Sequence, residues 1–275
     1  MFNMRQLFLS FCSIILLNSC TDNSRNSETA KPASIPATPL INYAVTHYFP
    51  HDTTLFTEGF SFYDGQLFES TGSPEELPQT RSLIGISDLP TGKFTSKIEI
   101  DKSIYFGEGI VFLNNKLYQL TYKNQVGFIY DAKTFKQLGE FKYSNIEGWG
   151  LTTDGTYLIM SDGTNKLTYR EPVTFKPTKT VNVTEKEHPI DKLNELEFIK
   201  GFIYANIWMS NFIVKIDPAS GNVVGKFDLS SLTNEAKRIH PNADVLNGIA
   251  YDATSDKIYV TGKMWSNIYQ IQFSH

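Results

Sequence analysis

The feature that most constrains this chain is a short pattern that occurs five times. The copies are Phe56-Thr57-Glu58-Gly59-Phe60, Phe106-Gly107-Glu108-Gly109-Ile110, Glu147-Gly148-Trp149-Gly150-Leu151, Leu193-Asn194-Glu195-Leu196 and Leu246-Asn247-Gly248-Ile249. Each sets one functional side chain ahead of a small or acidic residue and then a strand. The copies start roughly 40 to 53 residues apart, which is the spacing of propeller blades. A hairpin follows each copy. Its turn is Asp64-Gly65, Asn114-Asn115, Asp154-Gly155, Lys200-Gly201 or Thr254-Ser255-Asp256, between runs rich in β-branched and aromatic residues. Four of the hairpins lead into a further strand pair, as at 127–131 with 138–141 and 213–217 with 223–227.

These units predict an all-β fold, a five-bladed β-propeller of four-stranded antiparallel blades. The last unit, 249–273, has three good strands. The N-terminal strand at 42–48 is expected to complete it, closing the ring and removing open sheet edges. The alternative is an unclosed sandwich of short strands, which the regular spacing disfavours. The main helical segment is a short insertion at 230–238.

The ends of the chain carry a different message. Arg5 and the apolar run 7–17 read as an export signal over residues 1–19. The run is short for a membrane span. It closes on Leu16-Leu17-Asn18-Ser19-Cys20, which resembles a bacterial lipobox, with Asn18 a departure from the usual small or hydroxyl residue. Cys20 is therefore expected to carry a lipid, anchoring the protein to a bacterial membrane face without a spanning helix. Residues 20–40, rich in Ser, Thr, Asn, Ala and Pro, read as a flexible tether. The propeller is expected over 41–275. The other cysteine, Cys12, lies in the signal, so the mature domain has no thiol for a disulfide, a nucleophile or a zinc site. A net charge of -4 with no basic stripe gives no support to a nucleic-acid partner.

In a propeller the innermost strands line an axial channel, and the loops entering them meet at one mouth. Glu58, Glu108, Trp149, Asn194 and Asn247 are thus expected to converge. A second set, Tyr122, Trp208 and Lys263-Met264-Trp265, follows the second strands. The rings could instead pack between blades. A Gly-rich phosphate loop, His-Glu-x-x-His and Gly-x-Ser-x-Gly are all absent. A paired-carboxylate site from Glu58 and Glu108 stays open on residue types.

From residue 43 to 273 the chain resembles the plant-type, five-bladed propeller family of glutaminyl-peptide cyclotransferases. The likeness rests on runs in order, among them Phe49-Pro50-His51-Asp52, Leu67-Phe68-Glu69-Ser70-Thr71-Gly72, Tyr105-Phe106-Gly107-Glu108-Gly109, Gly148-Trp149-Gly150-Leu151, Ala205-Asn206-Ile207-Trp208, Asp244-Val245-Leu246-Asn247-Gly248-Ile249-Ala250 and Val260-Thr261-Gly262-Lys263-Met264-Trp265. The resemblance implies conversion of the N-terminal Gln of a peptide or protein to pyroglutamate, with release of ammonia. It implies Glu108 as the proton-shuttling acid, Phe56, Phe106, Trp149 and Trp208 as an aromatic pocket, and Asn194 and Lys263 as polar substrate contacts. Two positions depart: Glu58 stands where the family usually has Gln, and Tyr122 where it often has Trp. Glu58 puts a second carboxyl near Glu108, which is expected to raise one pKa or favour a charged substrate amine.

The expected cyclisation needs no cofactor for catalysis, and a structural cation such as calcium in the axial channel is compatible with it. The expected working unit is a monomer. Two other readings fit the same residues. One is a non-catalytic propeller that binds a peptide or sugar at the cell envelope. The other is a metal-dependent lactonase-like propeller using Glu58, Glu108, Asn194 and Asn247.

Overall fold

The computed structural model describes residues 37–273. The expected signal, Cys20 and most of the tether lie outside these residues. The rest forms five four-stranded antiparallel sheets arranged as a five-bladed β-propeller. The innermost strands are Thr57–Tyr63, Gly107–Leu113, Leu151–Thr153, Leu193–Ile199 and Leu246–Asp252. Each packs beside the next, and the fifth packs beside the first, so the ring is closed.

The closure uses the N-terminus. The strand Ala44–Pro50 pairs antiparallel with Asn267–Gln272 as the outermost strand of blade 5, two residues later than expected. His51, just past it, fixes the joint. Its backbone N–H donates to Ser266 O at 2.9 Å, and its Nδ1 lies 2.8 Å from Trp265 O. On the other side its Nε2 lies 3.1 Å from Glu69 of blade 1. Burial pulls the His51 pKa down, but Glu69 and the Trp265 carbonyl outweigh it and the net shift is upward. A protonated ring donates from both nitrogens, which suits a clamp between a carboxylate and a carbonyl. Thr57 and Ser87 donate to the same carboxylate at 2.7 and 2.8 Å.

Contacts with the propeller include residues just before 41. Leu40 forms a parallel bridge with Lys226, and Lys226 N donates to Pro39 O at 3.1 Å. The end of the expected tether thus covers an outer edge of blade 4, where a free strand edge would otherwise stand. The helix Ser230–Ile239 falls where the sequence placed it and buries Leu232, Thr233 and Ala236. A small hairpin, Thr184–Glu185 with His188–Pro189, was not anticipated; its two-residue strands carry no periodic pattern. No helix among the described residues is long and apolar enough to cross a membrane.

The blades pack through sheet faces. Between blades 1 and 2, Phe68, Ile84, Ile110, Phe112 and Leu117 form one buried cluster, with Tyr63 stacked on Phe112 at 4.1 Å. Near the axis the strands approach too closely for side chains. A Cβ at Gly109 would lie 2.6 Å from Leu151 N and Trp149 O; one at Gly150 would lie 2.1 Å from Asn194 O. Glycine is required there by close approach of one blade to the next. In blade 4 the corresponding place is Glu195. Its carboxyl accepts from Phe60 N at 3.3 Å and Ile249 N at 2.9 Å, tying blade 4 to blades 1 and 5.

Candidate active site

The recurring pattern has a common local cause. In blades 1, 2, 4 and 5 the innermost strand carries one extra residue relative to its neighbour. The register slips between Thr57 and Gly59, Gly107 and Ile110, Leu193 and Leu196, and Leu246 and Ile249. Glu58, Glu108, Asn194 and Asn247 sit at these slips. A β-bulge bends its strand and re-aims a side chain, so four blades turn one polar group each away from ordinary strand alternation. Blade 3 does the equivalent before its strand: Trp149 N donates to Ser161 O at 3.1 Å, and Ser161 N donates to Gly150 O at 3.0 Å.

Three of the four bulge residues, with Trp149, open into one pocket of about 250 Å³. Phe56, Glu58, Phe106, Glu108, Tyr122, Trp149, Asn194, Trp208 and Lys263 all line it. The second set reaches it through paired loops. Tyr122 N donates to Phe106 O, Gly148 N donates to Tyr122 O, and Trp208 N donates to Lys192 O, at 3.0, 2.8 and 2.9 Å. The rings form a continuous arc. Phe56 meets Phe106 edge-on at 6.4 Å, Phe106 meets Tyr122 at 5.7 Å, Tyr122 meets Trp149 at 6.4 Å, and Trp149 meets Trp208 edge-on at 5.6 Å. Edge-to-face and tilted pairs are favoured by ring quadrupoles, so the arc holds its own shape. Trp149 is further pinned by its Nε1–H, which donates to Glu147 at 2.9 Å.

The polar end of the arc is Lys263. Its Nζ lies 4.5 Å from the centre of the Phe56 ring and donates to Glu58 Oε1 at 2.6 Å. Asn247 donates to Glu58 Oε2 at 3.2 Å and to Thr57 O at 3.0 Å. Two corrections follow. Asn247 does not line the pocket; it stands behind Glu58 and orients it. Trp265 is not a pocket residue either. It is fully buried, packs edge-on against Tyr269, and donates its Nε1–H to Asp244 O at 2.9 Å. Sequence proximity to Lys263 put it in the site, but its indole turns inward to the blade core.

Glu108 differs from Glu58 in its surroundings. Only 5% of it is exposed, yet its carboxyl has no hydrogen bond to any described residue. Burial first, then the charge of Glu58, lifts its pKa well above the carboxylate range; Lys263 opposes this. Glu58 is also raised, to about 7, because burial outweighs Lys263, with Asp244 adding to the rise. Asn194 holds its Oδ1 buried and without a partner among the described residues. The site therefore offers a carboxyl of raised pKa with no hydrogen bond among the described residues, an amide with an unpartnered oxygen and a wall of rings. Such a set can orient a small polar side chain and move a proton on it.

Pro74, Met209 and Asp244 also line the pocket. The sequence signal for them was weak, since none sits at a strand entrance of the repeated type. Among the described residues, no three His, Cys, Asp or Glu side chains are grouped to hold a metal ion.

Residues 13–273 match the family model described as glutamine cyclotransferase. A curated relative from Arabidopsis thaliana, a glutaminyl-peptide cyclotransferase, is 39% identical over 226 residues, covering 82% of this chain and 69% of the relative. The crystal structure of Myxococcus xanthus glutaminyl cyclase superposes with a TM-score of 0.76 at 33% identity, covering 86% of this chain and 98% of that one.

Proposed function

The chain belongs to the glutamine cyclotransferase family and is a glutaminyl-peptide cyclotransferase, an acyltransferase, and from that premise we propose that Glu108 moves the proton in its reaction. The substrate's own α-amine is the nucleophile and its γ-amide carbon the electrophile. The amine nitrogen attacks, forming a C–N bond and leaving negative charge on the amide oxygen. Glu108 takes a proton from the attacking nitrogen. It returns that proton to the departing NH2 as the second C–N bond breaks. Ammonia leaves, pyroglutamate remains, and Glu108 ends as it began.

One observation carries this reading: a buried carboxyl with no hydrogen-bond partner among the described residues faces an aromatic pocket. A carboxyl of ordinary pKa would hold a proton too weakly to shuttle it near neutral pH. One raised by burial and by Glu58 is better matched to both transfers. The ring arc from Phe56 to Trp208 holds the Gln side chain coiled toward its own amine, which is an orientation effect. Asn194 and Lys263 contact the amide or peptide backbone. Lys263 is engaged with Glu58, so the Asn194 Nδ2–H2 group, which donates to no other described residue, is the readier donor to the developing oxyanion.

Export and lipid anchoring at Cys20 belong to the same proposal. They rest on Arg5, the apolar run and the lipobox-like end. They place a monomeric enzyme on a membrane face, acting on exported peptides. A calcium ion in the axial channel would serve structure only. The test is ammonia release from a Gln-initiated peptide, with and without chelator, beside the same peptide acetylated at its amine. Ammonia from the free peptide alone, insensitive to chelator, is the expected result. Ammonia from the acetylated peptide would mean hydrolysis, and would overturn cyclisation.

A further inference from the structure

Three carboxyls line the pocket. Glu58 is bonded to Lys263 and Asn247, and Glu108 is assigned to the proton transfer. The third, Asp244, has a rigid backbone and a carboxylate with no hydrogen bond or ion pair among the described residues. Its N–H donates to Lys263 O at 2.9 Å, and its carbonyl accepts the Trp265 indole N–H at 2.9 Å. We propose that Asp244 selects the residue after the Gln, favouring substrates with Lys or Arg at that second position. This rests on the cyclotransferase reading and adds a substrate class to it.

Depth and volume place the second residue beside Asp244. Glu58 and Glu108 are buried, whereas Asp244 is half-buried, so it stands nearer the mouth. A pocket of about 250 Å³ lies below the roughly 300 to 1,000 Å³ of drug-sized sites. It takes the glutaminyl unit, and the next side chain leaves along the upper wall. Asp244 is there without a counter-charge. The nearest pocket cation, Lys263, is committed to Glu58. Glu147, an acid behind the pocket wall, is already engaged by Trp149 Nε1 and approached by Lys123 at 3.9 Å. An unpaired, half-desolvated carboxylate in an aromatic wall rewards a cation and penalises an anion, which is how a charge sets specificity.

The experiment compares kcat/KM on three peptides that differ only at the second residue: Gln-Lys, Gln-Ala and Gln-Glu. Wild-type, Asp244→Asn and Asp244→Lys proteins are assayed at low and high salt. The wild type is expected to prefer Gln-Lys over Gln-Glu by roughly five- to tenfold at low salt, less at high salt. Asp244→Asn should bring that ratio close to one, and Asp244→Lys should invert it. An inverted ratio cannot come from a merely structural role. A wild-type ratio near one, or a ratio unchanged in both variants, overturns the role of Asp244 and leaves the cyclotransferase reading standing. No turnover of any of the three peptides by the wild type overturns both.

Discussion

Lys263 Nζ and Glu58 Oε1 stand 2.6 Å apart in the pocket wall, with both side chains nearly closed to solvent. A buried pair of this kind is weak evidence for net stability, because desolvation offsets attraction. Breaking it from one side is another matter. Lys263→Met leaves Glu58 buried without its partner. At pH above the Glu58 value of about 7, the variant is expected to lose about 3 kcal/mol. The double variant Glu58→Gln/Lys263→Met should recover most of that. Denaturant midpoints of the two variants check it; equal losses in both would show that the pair is not the coupled unit described.

Glu58 also acts on Glu108 through its charge. Replacing Glu58 by Gln removes that charge, and the Glu108 pKa should fall. The ionised form of Glu108 would then persist to lower pH. The acid limb of the kcat/KM profile should move to lower pH in Glu58→Gln. A limb that stays in place, or moves upward, would show that the two carboxyls do not titrate together.

The edge-on contact of Trp149 with Trp208 makes those rings one wall. Trp208, 37% exposed, stands at the open end of the arc. Trp208→Ala should raise KM and lower kcat together, with kcat/KM down by roughly tenfold or more, because the wall both binds and orients. An unchanged pair of constants would mark the ring as packing only.

The axial carboxyls predict a pH-dependent fold. Burial lifts Glu197 to about 8, and its Oε1 accepts from Tyr251 N at 2.9 Å. The folded state thus keeps a proton that the unfolded chain releases above the ordinary value of 4.5. The stability this contributes is full below that value, and it is lost as pH rises through about 8. Glu195 acts in the same direction. The melting temperature should fall between about pH 5 and pH 8, and Glu197→Gln, which retains the acceptor oxygen, should flatten that fall. An identical slope in the variant would place the proton elsewhere.

Much of the architecture was legible because blade spacing and hairpin turns are local signals. Pocket aromatics such as Phe56 and Phe106 were implied by the family resemblance and not by the strand pattern, and both line the pocket. The bulges were not, although they aim Glu58, Glu108, Asn194 and Asn247. A bulge is a mismatch between two strands, and one strand's text does not show its partner's register. For the same reason Asn247 was expected in the pocket and lies behind it. Trp265 shows the converse limit: it follows Lys263 by two residues, yet its direction is set by Tyr269 and Asp244. Asp244 gave little signal because its position depends on that indole.

The central claim is that the buried, unbonded carboxyl of Glu108 carries the proton. Its most direct test is ammonia release by Glu108→Gln on a Gln-initiated peptide, with the melting curve taken alongside. An intact fold with turnover reduced by roughly 10² to 10⁴-fold is the predicted result. A folded variant with near-normal turnover would contradict it.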